Sequence, residues 1–389
     1  MFISLVLPIS IATIFALNLH VGTCILIILL GLFSNILSLN YSHIKNKEFL
    51  IVLCLFSTWL YGLMSGMIQG NQSDYVLRNF FCLALYPLIY FWIISFKTIN
   101  FNNMIVYPAY IIIFISLCLL INLYVFPEGL LISYFADKLG DGYLGEGNLR
   151  VYYIGVILIN GFLGYQLWKF GASINRKNTH SSLLMIIFII LIFSLLTQSK
   201  GFVPAILGFT FFIFLYSSLF SIKSKVVVVM VLLSGIIFAN FEGYNLLNLI
   251  AGEEMSGNNL RYTQMDELIN DFSLFGKGLG SVIENGYARS DEFPYGYELS
   301  YLNLIHKFGL GAAIIFSTYI YVLYRSIVLM AIYPNVPNGY VAFGLMGYLI
   351  PSIGNPIILS IQAVIAHVIA ILLVAFPSRN YFQDKLFKS

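Results

Sequence analysis

Long apolar runs, almost free of charge and separated by short polar breaks, constrain this chain more than any other feature. They fall at 2–19, 21–39, 49–68, 80–96, 104–126, 151–169, 182–198, 202–220, 226–241, 308–324, 338–354 and 357–376. About 20 apolar residues is the length a helix needs to cross a bilayer, where lipid offers an open backbone no hydrogen-bond partner. Continuous runs fit helices, since barrel strands alternate in hydropathy. The expectation is an all-α polytopic membrane protein of about 12 transmembrane helices. Composition agrees: 59% of the 389 residues are hydrophobic and 10% charged, against about 45–50% and about 25% in a soluble domain. Nucleic-acid binding and cytosolic catalysis are excluded on these grounds. With no internal repeat, residues 1–389 read as a single membrane domain.

Charge distribution sets the expected orientation. With the N-terminus inside, the inner loops and C-terminus hold twelve of the 20 basic residues, and the outer segments hold all acidic residues except Glu48 and Asp384. The positive-inside rule then gives N-in and C-in. The first 44 residues carry no charged side chain, so the basic region of a cleavable signal peptide is missing and the first helix is expected to remain.

Polar sequence collects on the outer side, above all in a long loop at 242–297. Asn258 or Asn259 is placed to cap a helix running to Phe272, with Leu260, Met265, Leu268, Ile269 and Phe272 on one face. Gly276, Gly278 and Gly280 then mark a turn. The sequence holds no metal-protease, nucleotide-loop or serine-hydrolase signature, and its cysteines (Cys24, Cys54, Cys82 and Cys118) lie in apolar runs as small core residues. No metal and no cofactor is expected. His367, in the last run, reads as a packed, hydrogen-bonded histidine. The series Gly62, Gly66 and Gly70 reads as a surface where two helices approach closely.

Charged residues gather at the outer ends of the runs: Arg78, Arg150, Lys200, Arg261, Arg289, Glu298 and Lys307. Arg150 and Arg261 each stand where a polar segment meets a helix. An arginine fork matches two phosphate oxygens and keeps its charge at physiological pH, so a diphosphate ligand fits these positions.

Several short motifs carry a resemblance. Leu196-Thr-Gln-Ser-Lys200-Gly201 is similar to a T-x-S-R-G turn. Arg261 followed by Phe272-Ser-Leu-Phe-Gly276-Lys-Gly278-Leu-Gly280 is similar to an R…PL-x-G-x-G pattern. Glu298-Leu-Ser-Tyr301-Leu-Asn-Leu-Ile-His-Lys-Phe-Gly309 and Asn355-Pro356 follow in order, and Arg150 and Gly161, with ten residues between them, fit an R-x10-G spacing. Together they resemble the polytopic O-antigen polymerases (Wzy) and the related O-antigen ligases, GT-C-like membrane glycosyltransferases with a long periplasmic loop. Lys200 departs from the arginine of relatives and loses the fork. Glu298 stands where ligases carry histidine, which favours polymerase.

The resemblance implies an inverting, metal-independent O-antigen polymerase in the bacterial inner (cytoplasmic) membrane, multi-pass, active in lipopolysaccharide and surface-polysaccharide biosynthesis. It would join undecaprenyl-diphosphate-linked oligosaccharide repeat units at the outer face, beside a chain-length regulator and a flippase. The alternatives are a ligase transferring glycan to lipid A-core, or a lipid-linked oligosaccharide flippase. In this reading Glu298 is the general base and His306 its reserve, while Arg150, Arg261, Lys200 and Arg78 hold the diphosphate. Tyr297 and Tyr301 stack on sugars. Pairing of Glu298 with Lys307 or Arg261 is the structural alternative.

Overall fold

A computed structural model describes residues 46–83, 86, 105–125, 142–145, 148–151, 157–173, 179–197, 202–230, 255–283 and 294–375. The helices are α1 (Asn46–Ile68), α2 (Ser73–Leu83), α3 (Tyr107–Val125), α4 (Ile157–Ser173), α5 (Thr179–Thr197), α6 (Phe202–Tyr216), α7 (Met255–Asn270), α8 (Ser300–Phe308), α9 (Ala312–Ile332), α10 (Asn338–Leu345) and α11 (Ile361–Ala375). Between α3 and α4 a small antiparallel hairpin pairs β1 (Gly142–Gly145) with β2 (Asn148–Val151), Tyr143 opposite Arg150. The architecture is therefore helical with one hairpin.

The core is built around α10 and α11. Every described side chain from Gln362 to Ala375 is buried, as is every residue from Gly339 to Leu349. Val364, Val368, Ile369, Ile371 and Leu372 are each at most 1% exposed, and burying such a side chain is worth roughly 1.5–3 kcal/mol. Helix α10 packs on α4, α9 and α11. It can do so because glycines let backbones meet: a Cβ on Gly344 would lie 2.2 Å from the Asn160 carbonyl oxygen, and one on Gly164 would lie 2.2 Å from that of Tyr340. Beyond α10 the chain tightens into 3-10 turns at Met346–Leu349 and Pro351–Ile353. Proline has no backbone N–H to extend a helix.

This arrangement corrects the expectation of about twelve membrane-crossing helices. Among the described residues two helical stretches are long and apolar enough to cross a membrane, Leu50–Ile68 and Ser300–Ile332. Within the residues whose side chains are described, the apolar helical stretches Tyr107–Cys118, His180–Ile192, Ile206–Tyr216 and Gln362–Ala375 are shorter than that. An apolar run arises from lipid outside it or from protein around it; Gly339 to Leu349 and Gln362 to Ala375 are the second case, and the run 338–354 is broken into a short helix and turns. The runs 2–19 and 21–39, most of 80–96 and most of 226–241 lie outside the described residues. The N-in, C-in polytopic topology, the GT-C-like frame and the multi-pass inner-membrane placement fall with the twelve spans.

Large apolar side chains do remain exposed, among them Leu184, Ile187 and Leu191 on α5 and Met64 and Ile68 on α1. Smaller expectations also shift. Cys118 is exposed and Cys54 half-buried, so neither is a sealed core residue. His367 is fully buried, its Nδ1 2.9 Å from the Tyr86 hydroxyl. Gly62 makes room for the Phe308 ring and Gly66 for the backbone of Leu279, so at Gly66 the close neighbour is a loop, not a helix.

Candidate functional site

The loop at 272–280 is a strap stitched between α1 and α8. The last turn of a helix leaves carbonyls without intrahelical partners. Here the Lys277 and Gly278 amides donate to the His306 and Lys307 carbonyls at 2.8 and 2.9 Å. On the other side the Leu279 amide donates to the Gly62 carbonyl at 2.8 Å, and the Asn71 amide group donates to the carbonyls of Lys277 and Leu279 at 2.8 and 2.9 Å. Gln69 Nε2 donates to the Gly276 carbonyl at 2.9 Å, and the Tyr61 hydroxyl to that of Phe275. Three glycines with φ between 73° and 76° make the path possible. At Gly278 the approach is closest: a Cβ would stand 2.1 Å from the Gly66 nitrogen. The strap's amides at Lys277, Gly278 and Leu279 are thus spent on backbone carbonyls.

Under the strap lies a buried polar cluster. Asp271, just after α7, accepts from His306 Nε2 at 2.8 Å and from Lys277 Nζ at 2.7 Å. Burial pushes the Asp271 carboxyl up, but these hydrogen bonds and charges outweigh it and hold the group below the usual carboxylate range. With Asp271 ionised, the His306 hydrogen sits on Nε2, which leaves Nδ1 to accept from the Ser281 hydroxyl 3.3 Å away. Lys307 is fully buried, and its ammonium donates to the carbonyls of Ser281 and Tyr295 at 3.4 and 3.2 Å. It also lies 5.5 Å from the centroid of the Tyr297 ring. This lysine therefore ties together the two ends of the segment that leads to Glu298.

Glu298 itself precedes α8, and its carbonyl accepts the Ser300 amide at 2.9 Å. Its carboxylate takes the Arg261 Nε hydrogen bond at 2.9 Å, while Arg261 Nη2 reaches the Gly354 carbonyl at 3.5 Å. The arginine side chain is 43% exposed and the glutamate 14%. The surrounding contacts fix the place: Gln264 Oε1 accepts the Leu299 amide at 3.2 Å, and the Ser300 hydroxyl donates to the Asn355 carbonyl at 2.5 Å. Helix α7, the start of α8 and the turn at 354–355 meet here.

The sequence-nominated residues are thus distributed unevenly. Arg261 and Glu298 meet directly, instead of flanking a reacting bond from opposite sides. His306 belongs to the buried Asp271 and Ser281 cluster. Arg78 lies on α2, half-exposed and paired with Asp74 at 3.0 Å. Arg150 stands on β2, and its side chain, like all of Lys200, lies outside the described residues. Tyr297 is fully buried, its hydroxyl accepting the Ile283 amide at 2.7 Å, and burial pushes that hydroxyl up. The Tyr301 hydroxyl donates to the Leu349 carbonyl at 2.5 Å and its ring packs on Phe316. Tyr297 thus has no exposed face, whereas Tyr301 is half-buried. Helix α7 begins before Asn258 and ends before Phe272; Leu268 is buried, whereas Ile269 and Phe272 are exposed.

Sequence reasoning missed Asp271, Ser281, Gln264 and Asn71. Each is a common polar residue without a spacing motif, and its role follows only from what the fold brings beside it. Among the described residues no three His, Cys, Asp or Glu side chains converge as a metal site requires. The polymerase reading, with its ligase and flippase alternatives, required the many-span membrane frame, and the two helical stretches among the described residues that are long and apolar enough to cross a membrane do not supply it. No family model, no curated protein and no solved structure matches the chain.

Proposed function

We propose that the chain is a group-transfer enzyme acting on an anionic, phosphate-bearing donor at the Arg261–Glu298 pair, with glycosyl transfer from a diphosphate-linked sugar the class its motifs imply. The observation that carries the reading is the geometry of the pair. Glu298 accepts from Arg261 Nε while Arg261 Nη2 reaches the Gly354 carbonyl, so the guanidinium is oriented in advance and its side chain stays 43% exposed. At this exposure solvent screens the arginine side of the pair, and a donor phosphate can compete for the arginine.

The chemistry follows from that exchange. The Glu298 carboxylate lies beside the guanidinium that the phosphate engages. An acceptor hydroxyl attacks the carbon that bears the diphosphate and passes its proton to Glu298. The electron pair of the broken C–O bond stays on the diphosphate oxygen, where the fixed guanidinium stabilises it. Asp271 holds His306, and the Ser281 and Tyr295 carbonyls hold Lys307, which fixes the end of α8.

Turnover of a prenyl-diphosphate-linked disaccharide by purified protein tests the proposal, with donor binding measured separately. Glu298→Gln keeps the shape and loses the proton acceptor, so turnover should drop about 10²–10⁴-fold with binding retained. Unchanged turnover in Glu298→Gln sinks the reading.

A further inference from the structure

On α8, one turn beyond Leu299 and Ser300, the side chain of Asn303 is 1% exposed, and neither its amide nitrogen nor its amide oxygen has a hydrogen-bond partner. Buried amides are almost always paired, because a buried polar group without a partner is costly. The position makes the exception informative. Residues three and four apart share a helix face, so Asn303 lies on the face that carries Leu299, Ser300, His306 and Lys307. The Leu299 amide is bound to Gln264 of α7, and the Ser300 hydroxyl to the Asn355 carbonyl. These are the same two elements, α7 and the turn at 354–355, that hold Arg261 and Glu298. Asn303 thus shares a helix face with contacts that border the ion pair, and its hydrogen-bonding capacity is unused.

We propose that Asn303 is a specificity-determining residue that reads vicinal hydroxyl groups of a sugar, the nitrogen donating to one oxygen and the carbonyl accepting from the next. This rests on the group-transfer reading of the Arg261–Glu298 pair and assigns the recognition of the transferred group to a separate residue. An amide presents donor and acceptor side by side, as a pair of neighbouring hydroxyls does. A site built to hydrogen-bond a hydroxyl discriminates strongly against ligands that lack it, because its polar groups are then left unpaired. Asn303 also has a stability signature. With no ligand bound, an apolar side chain of similar size relieves the unpaired amide, so Asn303→Leu is expected to melt no lower than the wild type.

The experiment is calorimetric titration of the whole protein with two probes, geranyl diphosphate and a geranyl-diphosphate-linked disaccharide. The wild type should bind the glycosylated probe more tightly than the bare one. Asn303→Leu should lose that preference, by roughly tenfold, while its affinity for geranyl diphosphate stays unchanged. An amide satisfied only by trapped water predicts instead that the preference survives the substitution, and that result overturns the proposal. Equal wild-type affinity for the two probes overturns it as well and leaves the anion site standing; binding of neither probe removes both readings. If Asn303→Leu does not fold, Asn303→Ser is read by the same ratio.

Discussion

Gly278 sits at the tightest point of the site. Its φ of 76° favours glycine, and a Cβ there would stand 2.1 Å from the backbone nitrogen of Gly66. The left-handed conformation alone costs a non-glycine residue about 1–2 kcal/mol, and overpacking typically adds about 1–3 kcal/mol. Gly278→Ala is therefore expected to lose about 2–5 kcal/mol of stability, read as a drop in thermal midpoint, with lost turnover following from misplacement of α8. Gly70, at φ 78° but with open space around it, is the control: Gly70→Ala should cost only the conformational part, about 1–2 kcal/mol. Equal losses at the two positions would contradict the strap packing.

Asp271 gives the pH dependence. Its carboxyl is held below the ordinary range by His306 and Lys277 against the opposing effect of burial. A group depressed in the folded state contributes stability above its unfolded pKa, about 3.9, and loses it as pH falls through the lower folded value. Denaturant midpoints should thus fall between about pH 5 and pH 2 in the wild type. The fall should be shallower in Asp271→Asn, which starts from a lower plateau; parallel curves would show that Asp271 gains nothing from its partners.

At the scale of elements, the strap explains why a long polar segment is not a free loop. Its carbonyls and amides are shared between the end of α1 and the last turn of α8, so the two helices and the strap should unfold together. Asn71→Ala removes two hydrogen bonds to strap carbonyls, each worth about 0.5–1.5 kcal/mol. Hydrogen exchange at the Lys277, Gly278 and Leu279 amides should accelerate in that variant, and wild-type protection there would contradict the coupling. The glycine spacing announced a turn in the sequence, but not what the turn would touch: Gly62 and Gly66 are some 200 positions away, and a short-range motif carries no signal about such a partner. The apolar runs at 338–354 and 357–376 were equally legible as buried. Hydropathy does not say whether lipid or protein buries them, and here Gly339, Gly344 and Gly347 let neighbouring backbone or side-chain atoms close in.

For the whole molecule, the helical character of the chain could be read from residue order, and pairing of Glu298 with Arg261 stood there as one of two alternatives, whereas the number of membrane-crossing helices could not be read. The two residues are 37 positions apart and lie on different elements, joined only when α7 packs beside the start of α8. Contact between Arg261 and a donor phosphate is the claim on which the functional account stands. Chemical rescue measures it directly: turnover of the prenyl-diphosphate-linked disaccharide by Arg261→Ala, with and without added guanidinium ion. Arginine binds phosphate through a planar fork that ammonium cannot copy, so guanidinium should restore part of the lost rate and ammonium should not. Wild-type turnover by Arg261→Ala without any additive would contradict the account.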